Sequence, residues 1–140
     1  MAKNNPIIIG ISIGDLNGIG PEIVLKSFAD QRMLDFCTPV IFGNTKLLAW
    51  FKKQLGIECH LSPVNDLNKI QHGKINVYNA WTEPFDVHFG STDPKAGALA
   101  ITSIIVNLLI LVVSRLKSKA QACCVSSRVE YSNQHAWVPN

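Results

Sequence analysis

The chain has no C-x-x-C pair, no histidines at metal-binding spacing and no third glycine where a dinucleotide fingerprint would need one. Of its four cysteines, Cys37 and Cys59 stand alone beside apolar segments, where cysteine behaves as a small hydrophobe. Cys123 and Cys124 are adjacent, which suits neither an ordinary disulfide nor a zinc or redox motif. Cys59-His60 puts two ligand types side by side, but neighbours on a strand point to opposite faces and cannot close on one ion. His72, His88 and His135 also lack metal spacing, so no metal ligand is assigned.

Strong charge is missing as well. The net charge of +3 is spread along the chain, and Arg115, Lys117 and Lys119 form too small a cluster, without interleaved aromatics, for a nucleic-acid surface. A single lysine precedes a β-branched stretch with no small-residue cleavage site, so a secretory signal is not expected. The longest apolar run, Ile101 to Val113, is interrupted by Thr102, Ser103 and Asn107. It falls short of the roughly twenty apolar residues of a spanning helix. Extended back to Ala96 it approaches that length and gains a basic flank, so a membrane-attached fragment is the alternative to the expected cytoplasmic location. No repeat or low-complexity segment shows, and 140 residues are enough for one core.

What is present is concentrated near the start. The β-branched run Ile7 to Ile13 leads into Gly14-Asp15-Leu16-Asn17-Gly18-Ile19-Gly20-Pro21-Glu22-Ile23, a pattern of strand, tight loop and helix start. Glycines allow positive φ, expected at Gly20 among others, and let another group approach closely. Pro21 suits the first helical turn, and Glu22 complements the positive end of the helix dipole. Backbone N–H groups at such a junction favour a phosphate or carboxylate. Gly14, Asp15, Asn17, Gly18 and Gly20 are therefore the candidate cofactor-binding residues; no catalytic residue is assigned. Asp15 has a second reading, as a turn residue bonding the loop's own N–H groups, and Asn17 shares it. A Rossmann fingerprint is excluded by Ile23 at the third glycine position and by Phe42-Gly43-Asn44, which ends strand two without a carboxylate. Gly20-Pro21-Glu22 excludes a P-loop.

Along the chain, strands are expected at Pro6–Ile13, Thr38–Phe42, Ile57–Leu61 and Lys74–Tyr78, the first of them central. Helices are expected at Pro21–Gln31, with Ile23, Val24 and Phe28 inward, and at Thr45–Leu55, stopped by a left-handed Gly56. A polar loop follows from Pro63 to Gly73, an irregular connection from Ala80 to Asp93, and a helix capped by Asp93 that begins at Pro94 and continues through Val113. This alternation predicts a three-layer α/β fold with a mostly parallel sheet.

The spelling G-D-x-x-G-I-G-P-E-I after a strand resembles the 4-hydroxythreonine-4-phosphate dehydrogenase family of pyridoxal phosphate biosynthesis. More distantly it resembles the isocitrate and isopropylmalate dehydrogenases. Thr38-Pro39-Val40-Ile41-Phe42-Gly43-Asn44 is similar to the family's second strand and turn, and Gly90 to Ala100 to its G-x-x-x-x-x-A-G-x-x-A helix start. The resemblance covers about residues 6–101. It implies an incomplete isocitrate/isopropylmalate dehydrogenase-like fold, and an enzyme that uses NAD and a divalent metal (zinc, magnesium or cobalt) to oxidise and decarboxylate 4-phosphooxy-threonine, a phosphorylated small-molecule substrate, as a homodimer.

Family members are more than twice this length. Their T-x-P-[IV]-[NH]-K strand, G-H-T segment and three metal-ligating histidines have no counterpart here. The chain divides accordingly into residues 1–100, the amino-terminal part of the dehydrogenase fold, and residues 101–140, an apolar helix and a tail expected to be unstructured. On this reading the ending is foreign or out of frame, the chain is inactive alone, and its uncovered apolar helix favours self-association. A stand-alone α/β module for a phosphate-bearing ligand is the alternative function.

Overall fold

A computed structural model describes residues 7–117 and 122–124, with side chains placed over 7–113. The elements are β1 (Ile7–Ser12), α1 (Gly20–Ala29), α2 (Gln31–Phe36), β2 (Cys37–Gly43), α3 (Thr45–Leu55), β3 (Leu61–Val64), a 3-10 turn (Leu67–Lys69), β4 (Ile75–Asn79), α4 (Pro94–Lys117) and β5 (Ala122–Cys124). The strands form one sheet in the order β3-β4-β2-β1-β5, and every pairing is parallel.

Strand alternation divides the sheet into two faces. Ile11 pairs with Ile41, and Ile41 with Val77. Ile41 and Val77 share a core with Leu25 of α1, Leu34 of α2 and Leu47, Leu48 and Phe51 of α3. The other face carries Gly10 and Phe42 against Asn107 of α4. The β3–β4 connection also lies on that second face. There Thr38 Oγ1 meets His72 Nδ1 at 2.7 Å, and the buried Asn76 side chain accepts from Gln71 N and donates to the carbonyls of Pro39, Gln71 and Lys74. Helices on both faces make this the three-layer parallel α/β fold that the alternation predicts.

Several local expectations change. The central, wholly buried strand is β2, whereas β1 lies between β2 and β5 and keeps several half-buried residues. In α1 the buried residues are Pro21 and Leu25, while Ile23 is exposed. Val24 and Phe28 pack against the core as expected, beside the buried Pro21 and Leu25, and of the expected inward residues Ile23 is the one that turns out. α2 was not foreseen; Asp30 caps it by accepting from Arg32 N, and Leu34 anchors it. β3 starts at Leu61, later than the expected Ile57. Gly56, at φ +63°, closes a left-handed stop in which Ile57 N donates to Lys52 O and Gly56 N to Lys53 O. That stop commits the following residues to the exit from α3. Pro63 then fits within β3 because β3 is an edge strand, the place where a sheet tolerates proline.

α4 runs unbroken across residue 101, with Ala96, Leu99, Ser103 and Asn107 buried. Of the tail expected to be unstructured, residues 114–117 end α4 and residues 122–124 form β5 beside Ile8–Gly10; residues 118–121 and 125–140 lie outside the described residues.

Candidate functional site at the carboxyl edge of the sheet

The parallel strands β1, β2 and β4 deliver three connections to one edge: the glycine loop before α1, Asn44 before α3, and the long 80–93 segment before α4. Ligands of open α/β sheets bind at this edge.

The glycine loop is built tightly. Gly14 takes φ +73°. Asp15 is exposed; its Oδ1 accepts from Asn17 N at 3.0 Å, and its backbone carbonyl accepts from Gly18 N. A Cβ on Gly18 would lie 3.2 Å from Asp15 Oδ2, and one on Gly20 would lie 2.4 Å from the Ile13 carbonyl oxygen. Positive φ is therefore a property of Gly14 and not of Gly20. Gly20 is glycine because the backbone of Ile13 leaves no room for a side chain.

Asn17 is 2% exposed, and its polar atoms are occupied by the 80–93 segment. Its Oδ1 accepts from His88 N at 2.9 Å, its Nδ2 donates to Ser91 Oγ at 3.2 Å, and its carbonyl accepts from Gly90 N at 2.9 Å. Gly90, at φ +73°, makes that turn. Asn17 is thus a clamp holding two edge connections together, while Asp15 keeps a carboxylate toward solvent. Ser103 does similar work on the far face: its hydroxyl accepts from Ile13 N and donates to Phe42 O, tying the ends of β1 and β2 to α4.

The three helix starts at this edge differ in one respect. α3 is capped by Asn44, which accepts from Lys46 N and Leu47 N, and Thr45 N donates to Asn79 Oδ1. α4 is capped by Asp93, which accepts from Lys95 N. α1 has Ile19 at its cap position and no side-chain cap. The first-turn N–H groups of α1 are therefore the ones left open to an anion, a few residues from Asp15 and Gly18.

Beside α3 the 80–87 stretch leaves a groove of about 440 Å³, lined by Lys46, Trp50, Glu83, Phe85 and Asp86 among others. A second hollow of about 570 Å³ lies at the opposite, amino edge and includes Lys52, Glu58, Cys59, His60 and Lys74. Cys59 and His60 precede β3 in irregular chain, so the strand alternation that was to separate them does not apply. Even so, no group of three or more His, Cys, Asp or Glu able to hold a metal occurs among the described residues. Burial raises the Cys59 thiol, with Lys52 pulling the other way, and burial raises the Cys37 thiol too.

Sequence reasoning missed Ser91, His88, Ser103 and Asn107. The last two had a signal: they stand four apart in an apolar run, and so share one helical face.

No family model matches the chain. A 4-hydroxythreonine-4-phosphate dehydrogenase of Bacteroides thetaiotaomicron is 37% identical over 102 residues, 73% of this chain and 28% of that protein. A protein of Oceanobacillus iheyensis, provisionally named as a D-threonate 4-phosphate dehydrogenase, is 29% identical over 122 residues, 85% of this chain and 36% of its own. The crystal structure of a 4-hydroxythreonine-4-phosphate dehydrogenase from Burkholderia phymatum superposes with a TM-score of 0.71 at 27% identity, over 80% of this chain and 34% of its own. Even counted from residue 1, such a share passes residue 101, so the likeness in fold extends into α4. The chain spans about a third of the length of these relatives. In sequence and in fold, it is similar to the amino-terminal part of the 4-hydroxythreonine-4-phosphate dehydrogenase family.

Proposed function

We propose that the chain carries the glycine-loop part of an NAD-dependent, metal-requiring dehydrogenase site for a four-carbon hydroxy acid phosphorylated at C4, and that it is inactive alone. One observation supports this above the rest: at the ligand edge of the sheet, α1 alone among the three helix starts lacks a side-chain cap, and Asp15 stands exposed beside it. The substrates named for the relatives, 4-hydroxythreonine 4-phosphate and D-threonate 4-phosphate, share that phosphate, a hydroxyl on the adjacent C3 and a carboxylate.

In the reaction the resemblance implies, a substrate hydroxyl loses its proton while the carbon bearing it gives up a hydride, and the β-keto acid so formed releases carbon dioxide. NAD, when bound, supplies the hydride acceptor. The residues present here would bind and orient. The open N–H groups of α1 take up a phosphate oxygen, Gly18 and Gly20 keep the loop low enough for close approach, and Asp15 accepts from a hydroxyl. Asn17 holds the loop against the 88–91 turn. The divalent ion finds no comparable holder, because the described residues bring no three metal-binding side chains together. No such group among the described residues replaces a Lewis acid, whose removal costs several kcal/mol of transition-state stabilisation.

The expected outcome is no NAD reduction by the purified chain with 4-phosphooxy-threonine, with or without zinc, magnesium or cobalt. Metal-dependent turnover above background would defeat the proposed inactivity. Binding is tested separately, by amide NMR during titration with inorganic phosphate and then NAD. Shifts centred on Gly18, Gly20 and Glu22 are expected, and a silent loop would remove the basis of the proposal. Phosphate binding without any response to NAD would favour the stand-alone phosphate module, since an uncapped helix start needs no metal to hold an anion. A homodimer and a cytoplasmic location accompany the dehydrogenase reading. α4 does have the length and hydropathy of a spanning helix over Pro94–Val113. The Ser103 hydrogen bonds that fix it to the sheet weigh against a membrane-attached fragment.

A further inference from the structure

Trp50 on α3 is held by two other rings. The buried Phe51 meets it edge-on, with centroids 5.1 Å apart at 83°, and Phe89 stacks on it at 6.2 Å and 26°. Phe51 and Phe89 close the triangle at 5.9 Å and 74°. Aromatic rings favour such offset and edge-on contacts, so the indole is fixed in place although it is 38% exposed. It forms part of the groove of about 440 Å³ beside α3, to which Phe89 does not contribute. Leu47 and Phe85 supply apolar wall there, and Glu83 and Asp86 set two carboxylates against the single ammonium of Lys46. The two ion pairs among the described residues, Lys26–Glu22 and Arg32–Asp30, lie elsewhere. Lys95 also reaches the groove's rim, where its Nζ donates to the Pro84 carbonyl at 3.3 Å.

The adjoining helix start offers an anion nothing. Thr45 N donates to Asn79 Oδ1, Lys46 N and Leu47 N donate to Asn44 Oδ1, and Leu48 N donates to Asn44 O. Every N–H of the first turn of α3 is therefore taken. We propose that this groove binds a small, freely diffusing organic ammonium ion with an apolar substituent. The charged head lies against the indole of Trp50, whose π face attracts a cation, and Glu83 and Asp86 supply the counter-charge. The substituent packs on Leu47 and Phe85. A cleft of this size is in the range of small-molecule sites. The site is independent of the dehydrogenase reading: it lies on a different helix and selects the opposite charge, so a failed phosphate titration at α1 would leave it untouched.

The test uses three probes built on one ring: benzyltrimethylammonium, benzyl alcohol and benzoate. Each is titrated into the full 140-residue chain and followed by NMR at the Trp50 indole N–H and the amides of residues 82–87. The cation should give saturable shifts at both places, bind at least ~10-fold more tightly than the alcohol, and outcompete benzoate. Its advantage should shrink in about 1 M salt, because the carboxylates are exposed. Glu83→Gln combined with Asp86→Asn replaces exposed side chains and should bring the cation down to the affinity of the alcohol. Trp50→Leu should weaken the cation at least ~5-fold; if that variant does not fold, the carboxylate pair decides alone. Absence of a saturable response to the cation would overturn the proposal. So would benzoate binding as tightly, a cation preference that survives loss of both carboxylates, or flotation with phosphatidylcholine vesicles without a response to the free cation.

Discussion

Gly14 and Gly20 belong to one loop and are glycines for different reasons, one for its positive φ and the other for the Ile13 carbonyl pressed against it. Gly20→Ala should therefore cost about 1–3 kcal/mol, because the obstacle is backbone and cannot step aside. Gly97→Ala is the contrast: no atom lies within 4 Å of its Cβ, and within a helix the change should stabilise by about 0.5–1 kcal/mol. Chemical denaturation of the two variants checks both signs. Ser103→Ala should cost about 1–3 kcal/mol, since it strands a buried N–H of Ile13 and a carbonyl of Phe42. The thiols of Cys37 and Cys59 are raised by burial above the ordinary value of 9.0. Their folded state holds the proton more tightly than the unfolded one. The stability they contribute is complete below about pH 9 and is lost as pH rises through the folded values. Urea midpoints followed into the alkaline range should fall, and the fall should shrink in a Cys37→Ser, Cys59→Ser variant.

Elements follow the sequence most closely where local chemistry decides them. α3 starts at Thr45 and stops at Leu55 as expected, because Asn44 and Gly56 supply both ends within the chain itself. α1 shows the opposite: Leu25 faces inward and Ile23 outward, a facing that only the neighbouring α3 and sheet select. α4 is set by its fit to the sheet. A Cβ on Gly10 would sit 2.5 Å from Asn107 Oδ1. Gly10→Ala should thus destabilise by about 1–3 kcal/mol, and combining it with Asn107→Ala should cost less than the sum of the two single changes. An additive cycle would show that α4 does not rest on β1 at this point.

At the scale of the whole molecule, the glycine loop and the 88–91 turn are joined through Asn17, by its side chain and its carbonyl. Asn17→Ala should loosen the 88–91 turn from the glycine loop and lose about 1–3 kcal/mol, since the His88 N–H loses its acceptor and the Ser91 hydroxyl and carbonyl lose a donor together. Hydrogen exchange should then rise at His88 and at Asn17 itself more than in β2. Unchanged protection would mean that the two connections are held by something other than this clamp.

The sequence by itself determined the fold class, the order of the principal elements, the glycine loop and the family likeness. Each of these is written in local patterns: β-branched runs, caps, glycines and a motif read along the chain. It did not determine which strand lies innermost, since β1 and β2 are equally apolar and only the pairing order separates them. Nor did it show that the Asn17 side chain is occupied in holding the 88–91 turn, or that Ser103 and Asn107, two of the three polar residues breaking the run from Ile101 to Val113, lie on the buried side of α4. Those depend on partners about seventy to ninety residues away and exist only once the sheet has brought them together. A hydrogen bond is a relation between two places in space, and the chain states only one of them at a time.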